Sequence, residues 1–323
     1  MNGMEGTLSD EKVVKGFAAR EHLKQVLKNK KPAISSEKMI ETFIFLCGIS
    51  SIIFIAGIFI FIFKEAAPFL INRFSFSEFL FDGRWMPNAG EAKYGAMALF
   101  NGTMAVTLVS MCISIPFGLG CAIYLSEFCS PRLKEVTKVI IESLAAIPSV
   151  VWGFIAITMI NPLLIKLFNI PVGLNVLNAG IILAFMSIPV IVSLGEDALR
   201  SVPHSYIEAA YSMGATRWEV IYRVLLPAAK KGLMAAVLLG IGRAIGETMA
   251  VLMASGHSIR MVNSVLEPAR TLTATIAAEL GEAPKDGEHY RALFTIGLSL
   301  FTISFVINFL ASRLIKTREK KKA

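Results

Sequence analysis

The chain has 323 residues, of which 54% are apolar and only 17% are Asp, Glu, Lys or Arg, and its mean hydropathy is +0.62. A soluble domain carries about 25% charged residues, and here the deficit is gathered into long uncharged runs, which excludes an ordinary soluble protein. The formal charge of +8 would suit a nucleic-acid binder, but the basic residues come in blocks that alternate along the chain, as membrane topology requires, so no nucleic acid is expected.

Residues 1–38 hold eight Lys/Arg and five Asp/Glu without an apolar signal core, and they read as a cytoplasmic N-terminal extension. Within them, DEKVVKGFAAREHLKQVLKNKK keeps no single apolar face and receives no function. A membrane span needs about 20 predominantly apolar residues. The runs that qualify are 39–63, 99–125, 139–161, 179–195, 232–256 and 293–312, the first charged only at Glu41. Six helices are therefore expected in a membrane domain at 39–315, followed by a basic tail at 316–323. Pro116, Pro148 and Pro189 fall inside the second, third and fourth runs. Each removes a backbone donor, which in lipid calls for neighbouring helices to satisfy the freed carbonyl, so a packed bundle is expected.

Counting Lys and Arg by alternate sides gives 22 on the side of both termini and nine on the other. The positive-inside rule puts both termini in the cytoplasm. The four cysteines (Cys47, Cys112, Cys121 and Cys129) lie in or beside apolar runs without CxxC spacing, and the four histidines are scattered. Neither disulfides nor a metal site are expected.

The loop between the fourth and fifth spans, 204–227, contains EAAYSMGATRWEVIYRVLLP. Ala209, Ala210 and Met213, then Val220, Ile221, Val224 and Leu225, recur at helical spacing. Gly214 is placed to end a first short helix in a left-handed conformation, and Pro227 to stop a second before the next span. Two helices standing out from the membrane, with an apolar face to be covered, are the expected result. The arrangement Glu208-Ala209-Ala210, three residues, Gly214, then Leu226-Pro227 resembles the EAA loop of bacterial ABC importer permeases. In that family the loop seats in a groove of a separate ATPase subunit. The chain has no GxxxxGK[ST] phosphate loop, so any ATP would be hydrolysed by another polypeptide.

The fifth run places Arg243 near its centre and Glu247 four residues on, which predicts a shared helix face. Beside them Gly242, Gly246, Ala250 and Ala254 form a stripe of small residues that predicts a close-packing seam. A charge at mid-membrane costs about 2.5–3.5 kcal/mol even on the lenient insertion scale. Two readings meet the observation: an ion pair fixing helix register, or a charged lining of the substrate path. Intramembrane charges usually line cavities or relays, which favours the path. A guanidinium matches a tetrahedral oxyanion, and Glu247 is placed either to orient it or to accept the proton of HPO4²⁻.

GRAIGETMAVLMASG (242–256), LAAIPSVVWGF (144–154), SLGEDAL (193–199), RTLTATIAAELGEA (270–283) and HYRALFTIGL (289–298) closely resemble PstC-type permease subunits of phosphate ABC importers. The similarity runs from about residue 40 to the C-terminus. It implies an all-α, six-helix type I ABC importer fold of the MetI-like class in a bacterial inner membrane. The implied partners are a PstA-type permease, an ATPase dimer and an extracytoplasmic phosphate-binding protein. No cofactor would be bound by this chain, and ATP and Mg would be used by the ATPase. The family's fifth-span arginine and glutamate map onto Arg243 and Glu247, and its coupling loop onto Glu208 through Pro227. The rival readings are a permease of the same fold for sulfate or molybdate, and an ion-coupled secondary transporter. The latter usually shows internal repeats, and no clear one is visible.

Overall fold

The computed structural model describes residues 34–72 and 75–316. The N-terminal extension to residue 33 and the tail from 317 lie outside the described residues, as does the stretch DEKVVKGFAAREHLKQVLKNKK. The chain divides into two compact units, Met1–Ile58 and Phe59–Ala323. The described part of the first is the opening of one long helix, α1 (Ile34–Asn72), whose apolar side chains from Met39 to Ile58 are exposed.

The second unit is helical apart from one small hairpin. After α1 come α2 (Phe76–Phe81) and an antiparallel pair, β1 (Trp85–Met86) and β2 (Lys93–Tyr94), in register Trp85↔Tyr94. Then follow α3 (Met97–Ile123), α4 (Pro131–Ala146), α5 (Ser149–Ile155), α6 (Asn161–Phe168) and α7 (Val176–Arg200). The chain continues through α8 (His204–Ser212), α9 (Arg217–Glu219), α10 (Leu226–Gly246), α11 (Met249–Ala254), α12 (Leu272–Glu279) and α13 (Glu288–Lys316). Wide π-helical turns at Tyr124–Phe128, Ala156–Ile160 and Val220–Leu225 extend or join neighbouring helices.

Six helices among the described residues are long and apolar enough to cross a membrane: Lys38–Ile71, Met97–Phe128, Ser149–Phe168, Val176–Arg200, Arg217–Gly246 and Glu288–Arg313. The expected number holds, but the third is displaced from 139–161. The apolar run read across Pro148, whereas the chain breaks there, with Ile147 and Pro148 both extended. A proline disfavours helical backbone at the residue before it, so the run splits into the end of α4 and the start of α5. Pro148 is thus a cap and not a kink inside a span, while Pro116 and Pro189 do lie within helices.

The spine of the unit is α3 against α7, the most extensive helix pair. Gly180 allows it, because a β-carbon there would lie 2.4 Å from Val109 Cγ1. Likewise Gly240 brings α10 onto α7, with Ile191 Cγ1 2.9 Å from a hypothetical β-carbon. In lipid such close backbone approach supplies packing that hydrophobic burial does not. A central cluster joins Val106, Trp152, Ile182, Met186 and Val251. At one end a second cluster, including Trp85, Tyr94, Leu99, Leu272 and Leu293, ties the hairpin to α12 and α13. At the other end Ala122, Leu199, Ile221, Leu225 and Leu233 root the 204–227 loop on α3 and α7. The remaining helix faces are apolar and exposed, as expected where lipid or another membrane helix is the neighbour.

Candidate translocation site and coupling surface

The fifth span does not continue through residue 256. α10 ends at Gly246, Glu247 is extended (φ −70°, ψ 133°), and a separate short helix, α11, begins at Met249. The local sequence explains the break: glycine is a poor helix residue, Thr248 is β-branched, and the Glu247 carboxylate competes for a backbone amide. Glu247 Oε1 accepts from the Ala250 N–H at 3.4 Å, and the Glu247 carbonyl accepts from Thr273 Oγ1 at 2.8 Å.

Arg243 and Glu247 therefore do not share a helix face, because four-residue spacing aligns side chains only on an unbroken helix. They form no ion pair. Arg243 is exposed in the last turn of α10 and makes no side-chain hydrogen bond or ion pair among the described residues. Its charge sits at the negative end of the helix dipole, a favourable place. The small-residue stripe is interrupted too. Ala250 and Ala254 are buried on α11 within the central cluster. A β-carbon on Gly242 would make only ordinary contact with Ile307 Cγ2 at 3.5 Å, and one on Gly246 would touch nothing within 4 Å. Within this chain the close approach is made by Gly240 instead.

Around the break lies a cap built from residues 257–292. Thr271 caps α12 by accepting from the Ala274 N–H at 3.3 Å. At its other end Glu279 collects three donors: the Arg270 guanidinium, Trp85 Nε1 at 2.8 Å and His289 Nε2 at 2.9 Å. The carboxylate thus ties α12 to the hairpin and to α13. Nearby, His257 sits at φ 54° with both ring nitrogens buried and without a partner. Burial first, then the Arg270 charge, lowers its pKa from 6.5 to about 4.

The 204–227 loop has the expected turn. α8 ends at Ser212, Gly214 takes φ 81°, and Thr216 opens the next helix with a reciprocal capping box to Glu219. Only glycine adopts such backbone without a penalty. Pro227 does not stop this second helix. The π-helical turn Val220–Leu225 precedes it, and helical structure continues from Arg217 to Gly246. Widening the turn accommodates a residue with no amide to donate. Val220, Ile221 and Leu225 are buried and Leu226 packs beside them, whereas Glu208, Ala209 and Pro227 are exposed and Ala210 is half-buried. Tyr206, Tyr211, Met213, Trp218 and Tyr222 are also exposed, Met213 at 88% and Trp218 at 64%. One loop presents five large side chains that the described residues leave uncovered.

Glu196, at 1% exposure, escaped the sequence reading as a functional group. It lies 2.6 Å from Lys134 Nζ, 3.7 Å from Lys138 Nζ and 3.6 Å from an Arg200 guanidinium nitrogen. α4 has no buried residue of its own, so these ion pairs hold it to α7. The four-residue spacings of Lys134 with Lys138 and of Glu196 with Arg200 were the available signal.

Residues 114–320 match the family model of the binding-protein-dependent transport system inner membrane component. The chain belongs to this family. Over 254 residues it is 38% identical to a probable ABC transporter permease protein, YqgH, of Bacillus subtilis, covering 77% of this chain and 82% of the relative. Over 256 residues it is 37% identical to the phosphate transport system permease protein PstC of Mesorhizobium japonicum, covering 73% and 77%. A crystal structure of a bacterial ABC transporter importing the acidic polysaccharide alginate superposes with TM-score 0.57 at 17% identity, covering 88% of this chain and 97% of that one. An inward-facing structure of the MetNI methionine ABC transporter gives 0.51 at 22% identity, covering 67% and 92%. These likenesses establish the MetI-like importer fold. The chain is a multi-pass membrane permease subunit and not itself an enzyme.

Proposed function

We propose that this chain is one of the two permease subunits of an ATP-driven phosphate importer in a bacterial cytoplasmic membrane. The observation that carries the reading is the broken fifth span. It leaves Arg243 at a helix end without a side-chain partner among the described residues and sets a carboxylate just beyond, in a chain whose relatives include phosphate transport permeases. A guanidinium presents planar paired donors that match two oxygens of a tetrahedral oxyanion. Leaving such a charge unpaired in a membrane is costly unless it faces a watered path or a ligand.

A PstA-type permease completes the path. Gly242 and Gly246, which have room within this chain, are offered to that subunit. An extracytoplasmic phosphate-binding protein delivers the anion at the end carrying residues 257–292. An ATPase dimer covers the exposed Tyr206, Tyr211, Met213 and Trp218 of the 204–227 loop, and ATP and Mg²⁺ are bound by that dimer alone. Both termini are cytoplasmic, in line with the Lys/Arg asymmetry. Closure of the ATPase pair pushes α8 and α9, and the continuous rod Arg217–Gly246 carries that movement to Arg243. Glu247, whose contact to the Ala250 amide is long at 3.4 Å, is free to accept the proton of HPO4²⁻, a proton that sulfate lacks.

The test is uptake of labelled phosphate by proteoliposomes holding the assembled complex and its binding protein, with ATP supplied or withheld and excess sulfate added. Phosphate uptake that needs ATP and ignores sulfate supports the reading. ATP-dependent uptake of sulfate or molybdate instead assigns another oxyanion, and uptake without ATP assigns an ion-coupled transporter.

A further inference from the structure

The fifth span carries a second cationic feature, on a different face and nearer the coupling loop. A groove of about 800 Å³ opens between α10, the wide turn before it and Leu119 of α3. Tyr222, Arg223 and Lys230 line its part nearer the coupling loop, with Leu226 and Pro227 between them, and the lining beyond Lys230 (Leu233, Met234, Val237 and Leu238) is apolar. Among the described residues Arg223 reaches only Glu219, at 3.8 Å with both groups exposed, a pairing that water readily replaces. Lys230 is exposed and makes no ion pair among the described residues.

We infer that this groove binds one anionic phospholipid, its phosphate between Arg223 and Lys230 and an acyl chain along the apolar wall. Two features choose this occupant. The charged residues of the rod stop at Lys231 and do not resume before Arg243, so Lys230 marks the membrane boundary. From Lys230 to Leu238 the helix rises about 12 Å, close to the roughly 15 Å of one leaflet's hydrocarbon. A soluble acidic partner would meet the cations and leave the apolar wall uncovered. A second membrane helix would fill the wall but offer Lys230 no counter-charge and Arg223 none beyond its exposed pairing with Glu219. A lipid with an anionic head satisfies both halves. The headgroup then lies beside the wide turn that joins the coupling helix to the span, so lipid charge bears on the coupling movement. The inference rests only on the chain spanning the membrane, and a cargo other than phosphate leaves it intact.

The experiment is native mass spectrometry of the permease–ATPase complex, stripped of lipid and titrated with phosphatidylglycerol or phosphatidylcholine. Each basic side chain near an anionic headgroup is worth roughly fivefold, so the pair predicts a preference for phosphatidylglycerol on the order of thirtyfold at the tightest site. The double variant Arg223→Gln/Lys230→Gln brings that preference to within about twofold. Met234→Trp, which fills the wall and keeps both charges, weakens the binding of both lipids. Arg132→Gln, an exposed cation on α4, changes neither. Equal lipid preference in the parent and the double variant would overturn the site. So would efficient disulfide cross-linking of Met234→Cys to another subunit, since a protein chain would then occupy the groove.

Discussion

Replacing Glu279 by alanine removes the acceptor shared by Arg270, Trp85 and His289. The Arg270 side chain is 15% exposed and that of His289 11%, so water only partly substitutes for the lost carboxylate. Breaking a buried ion pair by deleting one partner costs about 3–5 kcal/mol, and the residual exposure of Arg270 puts this case near 3 kcal/mol. That corresponds to roughly a hundredfold rise in the local opening equilibrium. Glu279→Gln keeps an oxygen for one of the neutral donors but loses the charge, and costs about half as much, near tenfold. The prediction is read by hydrogen exchange, followed by mass spectrometry, on peptides covering the hairpin Trp85–Tyr94 and the helix Leu272–Glu279. Both segments exchange faster in the order parent, Gln, Ala, while α3 and α7 keep their protection because opening of the cap is local. If exchange in both variants stays within about threefold of the parent, Glu279 is not the tie that holds the cap, and the reasoning fails.

Three further outcomes follow from the same structure. Gly180→Val places a side chain where a β-carbon already meets Val109 Cγ1 at 2.4 Å, so it lowers stability by about 1–3 kcal/mol or more; an unchanged thermal midpoint would contradict tight α3–α7 packing. Met213→Ser together with Trp218→Ala strips two exposed apolar side chains from the 204–227 loop. Retention of the ATPase on the purified permeases falls by about tenfold or more with the permease midpoint unchanged, and undiminished retention would remove the docking role. His257 titrates near 4 in the folded cap and near 6.5 when unfolded. Between those values the unfolded chain binds a proton that the cap excludes, so the stability present above pH 6.5 is lost as pH falls towards 4. His257→Asn, which tolerates the left-handed backbone, abolishes that slope in thermal midpoints measured from pH 7.5 to 4; the same slope in the variant would assign it to another group.

The six spans and the Gly214 turn were legible because each has a local cause: uninterrupted apolar length in one case, and a left-handed position that favours glycine in the other. The break at Glu247 was not. Hydropathy reads GRAIGETMAVLMASG as one run, and the four-residue rule presumes the helix whose continuity was in question. Only the Gly-Glu-Thr sequence hinted at an alternative, through a carboxylate able to cap the following turn. The third span shifted for a related reason: apolar character crosses Pro148 although helical backbone does not. Pro227 erred in the other direction, since a proline breaks an α-helix but is accommodated after a wide turn. Glu196 offered only its four-residue spacing to Arg200, whereas the hub at Glu279 draws a partner from a distant part of the chain, Trp85 lying 194 residues away. Pairings at that separation leave no periodic trace in a single sequence.

The most direct test of the account's central claim is ATP-driven uptake of labelled phosphate by the reconstituted complex carrying Arg243→Gln, with ATP hydrolysis measured in the same vesicles. Arg243 is exposed and makes no ion pair among the described residues, so the substitution leaves folding and assembly intact. The account predicts that ATP hydrolysis persists while phosphate uptake falls by a hundredfold or more, about 3 kcal/mol for a lost charge-assisted contact in the path. Uptake at the parental rate would contradict it and leave Arg243 as a helix-end charge with no part in transport.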